Sequence, residues 1–154
     1  MRQLFFLLLL GTFTQLHSQT KLEYAAHCNL QNGIAINGYD PVAYFTKNKA
    51  EKGSATLVAK FEGIYYHFSN ETNKDAFLKS PKKYQPQYGG WCAFAMGDYG
   101  KKVEVDPETF KIVDGKLYLF YNAYFNNTLK SWNKDENNLK LKADKNWSNF
   151  LLKN

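Results

Sequence analysis

The chain has 154 residues, of which 44% are hydrophobic and 22% are charged, and its formal net charge is +6 at pH 7. This length fits one folded domain, and the hydrophobic share excludes a disordered, highly charged protein. Two cysteines are too few for a disulfide-dense miniprotein or a four-cysteine zinc site. The basic residues are nearly all lysines scattered among asparagines, so we expect a solvated basic surface and no nucleic-acid partner.

The first predicted element is a signal peptide at residues 1–18. Arg2 gives a positive start, and Phe5 to Leu10 form an apolar run that is too short to span a bilayer. Ser18 is a small residue that suits the position before a cleavage site. We therefore expect an exported protein, periplasmic or extracellular, whose mature chain begins near Gln19 and has no transmembrane span.

A lead-in segment at residues 19–34 precedes a single domain, which is predicted at residues 35–152. Alternating apolar residues predict a hairpin over residues 56–69 and place His67 on the face opposite its apolar neighbours. An Asp-Gly dipeptide predicts a second hairpin over residues 110–121, because a type I′ turn needs positive φ at both of its central residues.

Helices are predicted around these hairpins. Ser69 or Asn70 can cap a helix that ends before Pro81. In the C-terminal third, two groups of apolar residues recur at helical spacing. They are Tyr124, Phe125, Leu129 and Trp132, and then Ala143, Trp147, Phe150 and Leu151. The predicted fold class is α+β, a small antiparallel sheet covered by helices.

Three segments of the domain carry a resemblance to a known family. They are Asn37 to Phe45 (NGYDPVAYF), Ile64 to Ser69 (IYYHFS) and Gln87 to Ala95 (QYGGWCAFA). These segments resemble secreted bacterial YHS-domain proteins, and the likeness covers roughly residues 35 to 150. The resemblance implies the fold more readily than the function, because the role of that family is mostly unassigned.

YHS domains are similar to small cysteine-rich metal modules of metal-transport ATPases and metal-responsive proteins. In those relatives one thiol commonly follows Asp-Pro-Val, and two more lie around the start of the helix. The matching positions here are Ala43, Ser69 and Asn73, so all three thiols are missing. Any metal site in this chain would therefore need other ligands.

The soft side chains of the mature chain define a first functional hypothesis, a site for Cu or Zn. Thiolate and imidazole are ligands that these ions accept. No C-x-x-C or H-x-x-x-H pair groups the candidates, so the fold must gather them. The candidate ligands are Cys92, His67, Cys28, His27 and Met96.

Two alternatives use the same cysteines. In an oxidising compartment Cys28 and Cys92 can form a structural disulfide, whose long loop would contribute roughly 4 kcal/mol of stability. Cys92 with His67 and Asp40 would supply a nucleophile, a base and an orienting acid, although we assign no catalytic residue from the sequence.

A small-molecule pocket is a further hypothesis, because irregular glycine-containing backbone beside aromatic residues makes a concave surface. The candidate pocket residues are Tyr39, Asp40, Tyr88, Gly89, Gly90 and Trp91. The sequence thus predicts an exported, non-catalytic binding or accessory module. Its first candidate ligand is a soft metal ion, and the alternative is a small molecule or a protein partner.

Overall fold

The structure is a computed structural model that describes residues 23–152. The predicted signal peptide and the first residues of the lead-in segment lie outside the described residues. Residues 23–27 are helical and form α1. In this part of the chain, no helix combines the length and apolar character that a membrane span requires.

A four-stranded sheet occupies the first half of the domain in the order β1-β2-β4-β3. Its strands are β1 (Leu30–Gln31), β2 (Ile34–Ala35), β3 (Ser54–Phe61) and β4 (Ile64–Phe68). β3 and β4 are antiparallel, which confirms the predicted first hairpin, whereas β2 runs parallel to β4. The sheet is mixed because residues 30–35 fold back along the free edge of β4.

The β1–β2 hairpin is a feature that hydrophobic periodicity does not predict, since strands of two residues show no alternation. Its turn consists of Asn32 and Gly33, whose φ angles are 54° and 81°. The Gly33 carbonyl then accepts the backbone N–H of Tyr65 at 2.9 Å. The Asn-Gly dipeptide was the signal available in the sequence, because it is a preferred type I′ pair.

The second predicted hairpin is also confirmed. β5 (Asp106–Val113) pairs antiparallel with β6 (Lys116–Phe120) as a separate two-stranded sheet. Asp114 and Gly115 at the turn have φ angles of 51° and 69°, as a type I′ turn requires.

Helices precede and follow this hairpin. They are α2 (Ala43–Lys47), α3 (Glu71–Lys79), α4 (Pro81–Tyr84), α5 (Ala93–Asp98), α6 (Thr128–Trp132) and α7 (Glu136–Leu152). α3 begins as predicted, because the Asn70 side chain accepts the backbone N–H of Asn73 at 2.9 Å. α7 includes the predicted apolar positions from Ala143 onward.

One predicted helical segment is wrong. β7 (Asn122–Ala123) and β8 (Asn126–Asn127) form a short hairpin, and Tyr124 and Phe125 are its turn residues. Both side chains are exposed, and their φ angles are 49° and 64°. The turn conformation overrides the helical spacing because the hairpin must close immediately before α6.

The buried residues form two clusters, and β6 contributes Leu117 and Leu119 to the first and Tyr118 and Phe120 to the second. In the first, Phe77 of α3 packs against Tyr66 of β4 with ring centroids 4.6 Å apart. In the second, Trp132 of α6 lies 5.8 Å from Tyr118 and 5.6 Å from Phe120 of β6. The architecture is α+β, as the sequence predicts.

Candidate functional site

Asp40 is fully buried, and both oxygens of its carboxylate accept hydrogen bonds from the protein. Oδ1 accepts the backbone N–H groups of Val42 (2.8 Å) and Ala43 (3.3 Å) at the start of α2. Oδ2 accepts the backbone N–H and the hydroxyl of Ser69 (2.8 and 2.7 Å) and the amide of Asn73 (2.7 Å). This Asp40 network therefore connects α2 to the end of β4 and to α3. Both carboxylate oxygens are used in hydrogen bonds that stabilise the fold.

The Asp40 network also contains the three positions that the YHS resemblance matches to thiols. Ala43, Ser69 and Asn73 all donate to the same carboxylate. Their side chains are a methyl group, a hydroxyl and a carboxamide, none of which is a soft ligand. The residues present here therefore do not fit a soft metal ion.

Gly89 and Gly90 make a close approach to the chain's own lead-in segment. The Gly89 carbonyl accepts the backbone N–H of Asn29 at 2.8 Å, and the Gly90 carbonyl accepts the side-chain amide of Asn29 at 3.4 Å. Gly89 has φ of 61°, and a Cβ there would lie 2.8 Å from Trp147 and 3.0 Å from Cys28 Sγ. Internal packing therefore requires a glycine at position 89.

Cys28 and Cys92, the two residues of the alternative disulfide, are free thiols in the structure. Cys28 donates to the Tyr24 carbonyl at 3.3 Å, and burial raises the pKa of its thiol to about 12. Cys92 is fully buried, and its sulfur accepts the backbone N–H of Tyr121 at 3.3 Å and lies 3.4 Å from the Thr128 hydroxyl. The thiols have separate hydrogen-bond partners in different parts of the fold.

The other candidate metal ligands, His27, His67 and Met96, each have different neighbours. His27 Nδ1 is 3.4 Å from the Lys102 Nζ, a group whose positive charge opposes a metal cation. His67 packs against Gly53, where an added Cβ would be 2.6 Å from the histidine Cβ, and Met96 is buried in the second cluster. Within residues 23–152, no three His, Cys, Asp or Glu side chains are grouped to hold a metal ion.

The residues predicted for a pocket contact different parts of the protein. The Tyr39 hydroxyl donates to Glu108 at 3.0 Å, and the Trp91 indole donates to the His27 carbonyl at 2.7 Å. Gly89 lines a small apolar cavity beside Cys28. Of the six predicted residues, Tyr88 is the one that lines the cleft described next.

A cleft of about 350 Å³ lies between the segment before Gly89, the start of β6 and the outer face of α7. Its lining combines aromatic rings, amides and charged groups. The lining residues are Tyr24, Lys82, Gln85, Pro86, Gln87, Tyr88, Lys116, Asp144, Trp147 and Ser148. Tyr24 and the lining residues of α7, which meet here, are more than 100 residues apart in the chain.

The charges around the cleft are unevenly paired. The Tyr88 hydroxyl donates to Asp144 at 2.9 Å, and burial, reinforced by this carboxylate, raises the Tyr88 pKa well above its usual value. Lys82 has an 80% exposed side chain, with a Glu62 oxygen 4.0 Å away. Lys116 makes no ion pair within residues 23–152. The lining therefore holds two ammonium groups and one carboxylate, and Lys116 is the ammonium group without an ion pair in the described residues.

The aromatic wall of the cleft is fixed by packing. The rings of Tyr24 and Trp147 meet edge to face, with centroids 6.3 Å apart and an interplanar angle of 84°. Trp147 also abuts Gly89, where only a glycine leaves room for the indole. The wall is thus organised before a ligand arrives.

Sequence reasoning missed most of this cleft. Trp147 was predicted only as part of a helix face, and Tyr24 belongs to the segment described as a lead-in. Lys82 and Lys116 are two among many scattered lysines. No local pattern links these residues, because the cleft exists only where four separate segments of the chain pack together.

No protein-family model, curated protein or solved structure matches the chain.

Proposed function

We propose that this chain is an exported, non-catalytic binding module of the YHS type that holds a small molecule in the cleft between Tyr88, Lys116 and α7. The observation that carries the proposal is the cleft itself, whose volume of about 350 Å³ falls in the range of ligand pockets. Its prearranged aromatic wall and its hydrogen-bonding groups suit a compact ligand with both apolar and polar parts.

A small molecule is favoured over a soft metal ion because of the thiols. A metal ligand must be a thiolate, whereas burial raises the Cys28 pKa to about 12. Cys92 already accepts a hydrogen bond from Tyr121 and lies beside Thr128. The same contacts favour a binding role over cysteine-dependent catalysis, which needs a nucleophile next to a base.

The family and export parts of the proposal have separate support. The segment motifs resemble YHS proteins, and the three matched positions meet at the Asp40 carboxylate. The positive start and apolar run at residues 1–18 support export. Sequencing of the exported protein should find Gln19 at its N-terminus, and a mature chain that retains Phe5 to Leu10 would contradict export.

A fragment screen by nuclear magnetic resonance tests the cleft. We expect binding fragments to shift the Trp147 indole signal together with the amides of Tyr88 and Lys116. Ser148→Trp would fill the cleft from the exposed side of α7 and should abolish these shifts. Leu141→Trp is the matched control, because Leu141 is 70% exposed on the same helix and outside the lining. Fragments that shift the signals of other regions, or whose shifts persist in Ser148→Trp, would contradict the proposal.

Native mass spectrometry of protein purified from its own host gives an independent readout. A retained organic mass that is absent from Ser148→Trp would support the cleft. A retained Cu or Zn ion that is lost in Cys92→Ser would instead favour the soft-metal hypothesis.

A further inference from the structure

The charges of the cleft point to the ligand's chemistry. Lys116 has no ion-pair partner in the described chain, and Lys82 is held only at 4.0 Å by Glu62 while its side chain is 80% exposed. The facing carboxylate, Asp144, already accepts the Tyr88 hydroxyl at 2.9 Å. The lining thus carries two ammonium groups, of which Lys116 has no ion-pair partner in the described residues, and one carboxylate that already accepts a hydrogen bond. This balance attracts an anion more strongly than a cation.

The aromatic wall adds a second requirement. The Trp147 indole is only partly buried and is fixed between Tyr24 and Gly89. A planar apolar group can lie against such an indole with little loss of side-chain entropy, because the ring is already immobilised.

We infer that the ligand of this cleft joins an anionic group, bound by Lys116 and Lys82, to a planar apolar part that lies against Trp147. This inference rests on the proposed function and specifies the class of its ligand. A carboxylate, sulfonate or phosphate would meet the charge requirement equally, because each offers oxygen acceptors to an ammonium group.

Two dyes with the same ring system separate the contributions of charge and rings. 8-Anilinonaphthalene-1-sulfonate is anionic, and N-phenyl-1-naphthylamine lacks the sulfonate. In fluorescence titrations of the full mature chain at low salt, we expect the anionic dye to bind at least about tenfold more tightly. Raising the salt from about 20 mM to about 500 mM should weaken the anionic dye alone, because exposed charges are screened.

Variants locate the binding. Lys116→Gln should remove most of the advantage of the anionic dye and leave the neutral dye unchanged. Lys130→Gln, an exposed lysine outside the lining, is the matched control and should change neither affinity. Ser148→Trp should block both dyes, whereas Leu141→Trp should block neither.

The outcomes distinguish the two proposals. Equal affinity for both dyes, each blocked by Ser148→Trp and insensitive to Lys116→Gln, would overturn the anionic inference and leave the cleft as a binding site. Dye binding that Ser148→Trp does not reduce would overturn both.

Discussion

Replacing Asp40 with asparagine tests the central polar network of the fold. The substitution keeps the size and shape of the side chain but replaces one acceptor oxygen with an NH₂ group. In the native protein every neighbour of the carboxylate is a donor: Val42 and Ala43 on one oxygen, and Ser69 and Asn73 on the other. Whichever way the amide is oriented, its NH₂ group must face donors.

The expected cost follows from counting the donors that lose their acceptor. The amide facing α2 leaves two backbone N–H groups without an acceptor, those of Val42 and Ala43. Each unsatisfied buried group costs about 1–3 kcal/mol, so Asp40→Asn should lower the free energy of unfolding by about 2–6 kcal/mol. That is a large part of the total of about 5–15 kcal/mol that stabilises a typical domain, and it should lower Tm by on the order of 10 °C.

Urea and thermal unfolding followed by circular dichroism would measure the loss. Asp75→Asn is the matched control, because Asp75 is exposed on α3 and loses the same charge. The control should change stability by less than about 0.5 kcal/mol. If Asp40→Asn were as stable as this control, the reasoning that the network depends on a carboxylate would be refuted.

Three further predictions concern glycine packing, thiol chemistry and turn strain. Gly89→Ala should cost about 1–3 kcal/mol more than Gly115→Ala in urea unfolding, because both positions have positive φ but only a Cβ at Gly89 meets other atoms; equal losses would disprove the close contact. At pH 8, Cys28 in the native protein should react with iodoacetamide about a thousandfold more slowly than in unfolded chain, because its pKa is raised from 9.0 to about 12. Mass spectrometry after unfolding without reductant should find two labels per chain, and none would reveal a disulfide. Tyr124→Asn combined with Phe125→Gly should raise Tm, gaining about 1–2 kcal/mol by relieving a type I′ turn of two bulky residues; a lower Tm would show that these side chains stabilise the fold.

Much of the fold could be predicted because its signals are local. The alternation of β4, the Asp-Gly turn at residues 114–115 and the Asn70 cap each depend on a few consecutive residues. Such patterns give an α+β chain with two correctly located hairpins. The same local reasoning failed at Tyr124 and Phe125, where helical spacing was present but the chain had to turn.

The roles of the candidate site residues could not be read from the sequence, since they depend on which distant groups meet. Asp40 was predicted as a pocket residue and considered as an orienting acid for Cys92 and His67, but burial among donors from α2, the end of β4 and α3 makes it structural. Gly89 and Gly90 were predicted to allow a close approach, and only packing identified Asn29 as the approaching segment.

The sequence by itself determined the composition, the two main hairpins, the cap of α3 and the amphipathic C-terminal helix, because turn geometry and periodicity act over short distances. Only the tertiary structure decided that Tyr24, Lys116 and Trp147 line one cleft, and that the soft ligand candidates have separate partners. The physical reason is that burial, charge pairing and cavity shape belong to the packed chain, in which residues more than 100 positions apart come into contact.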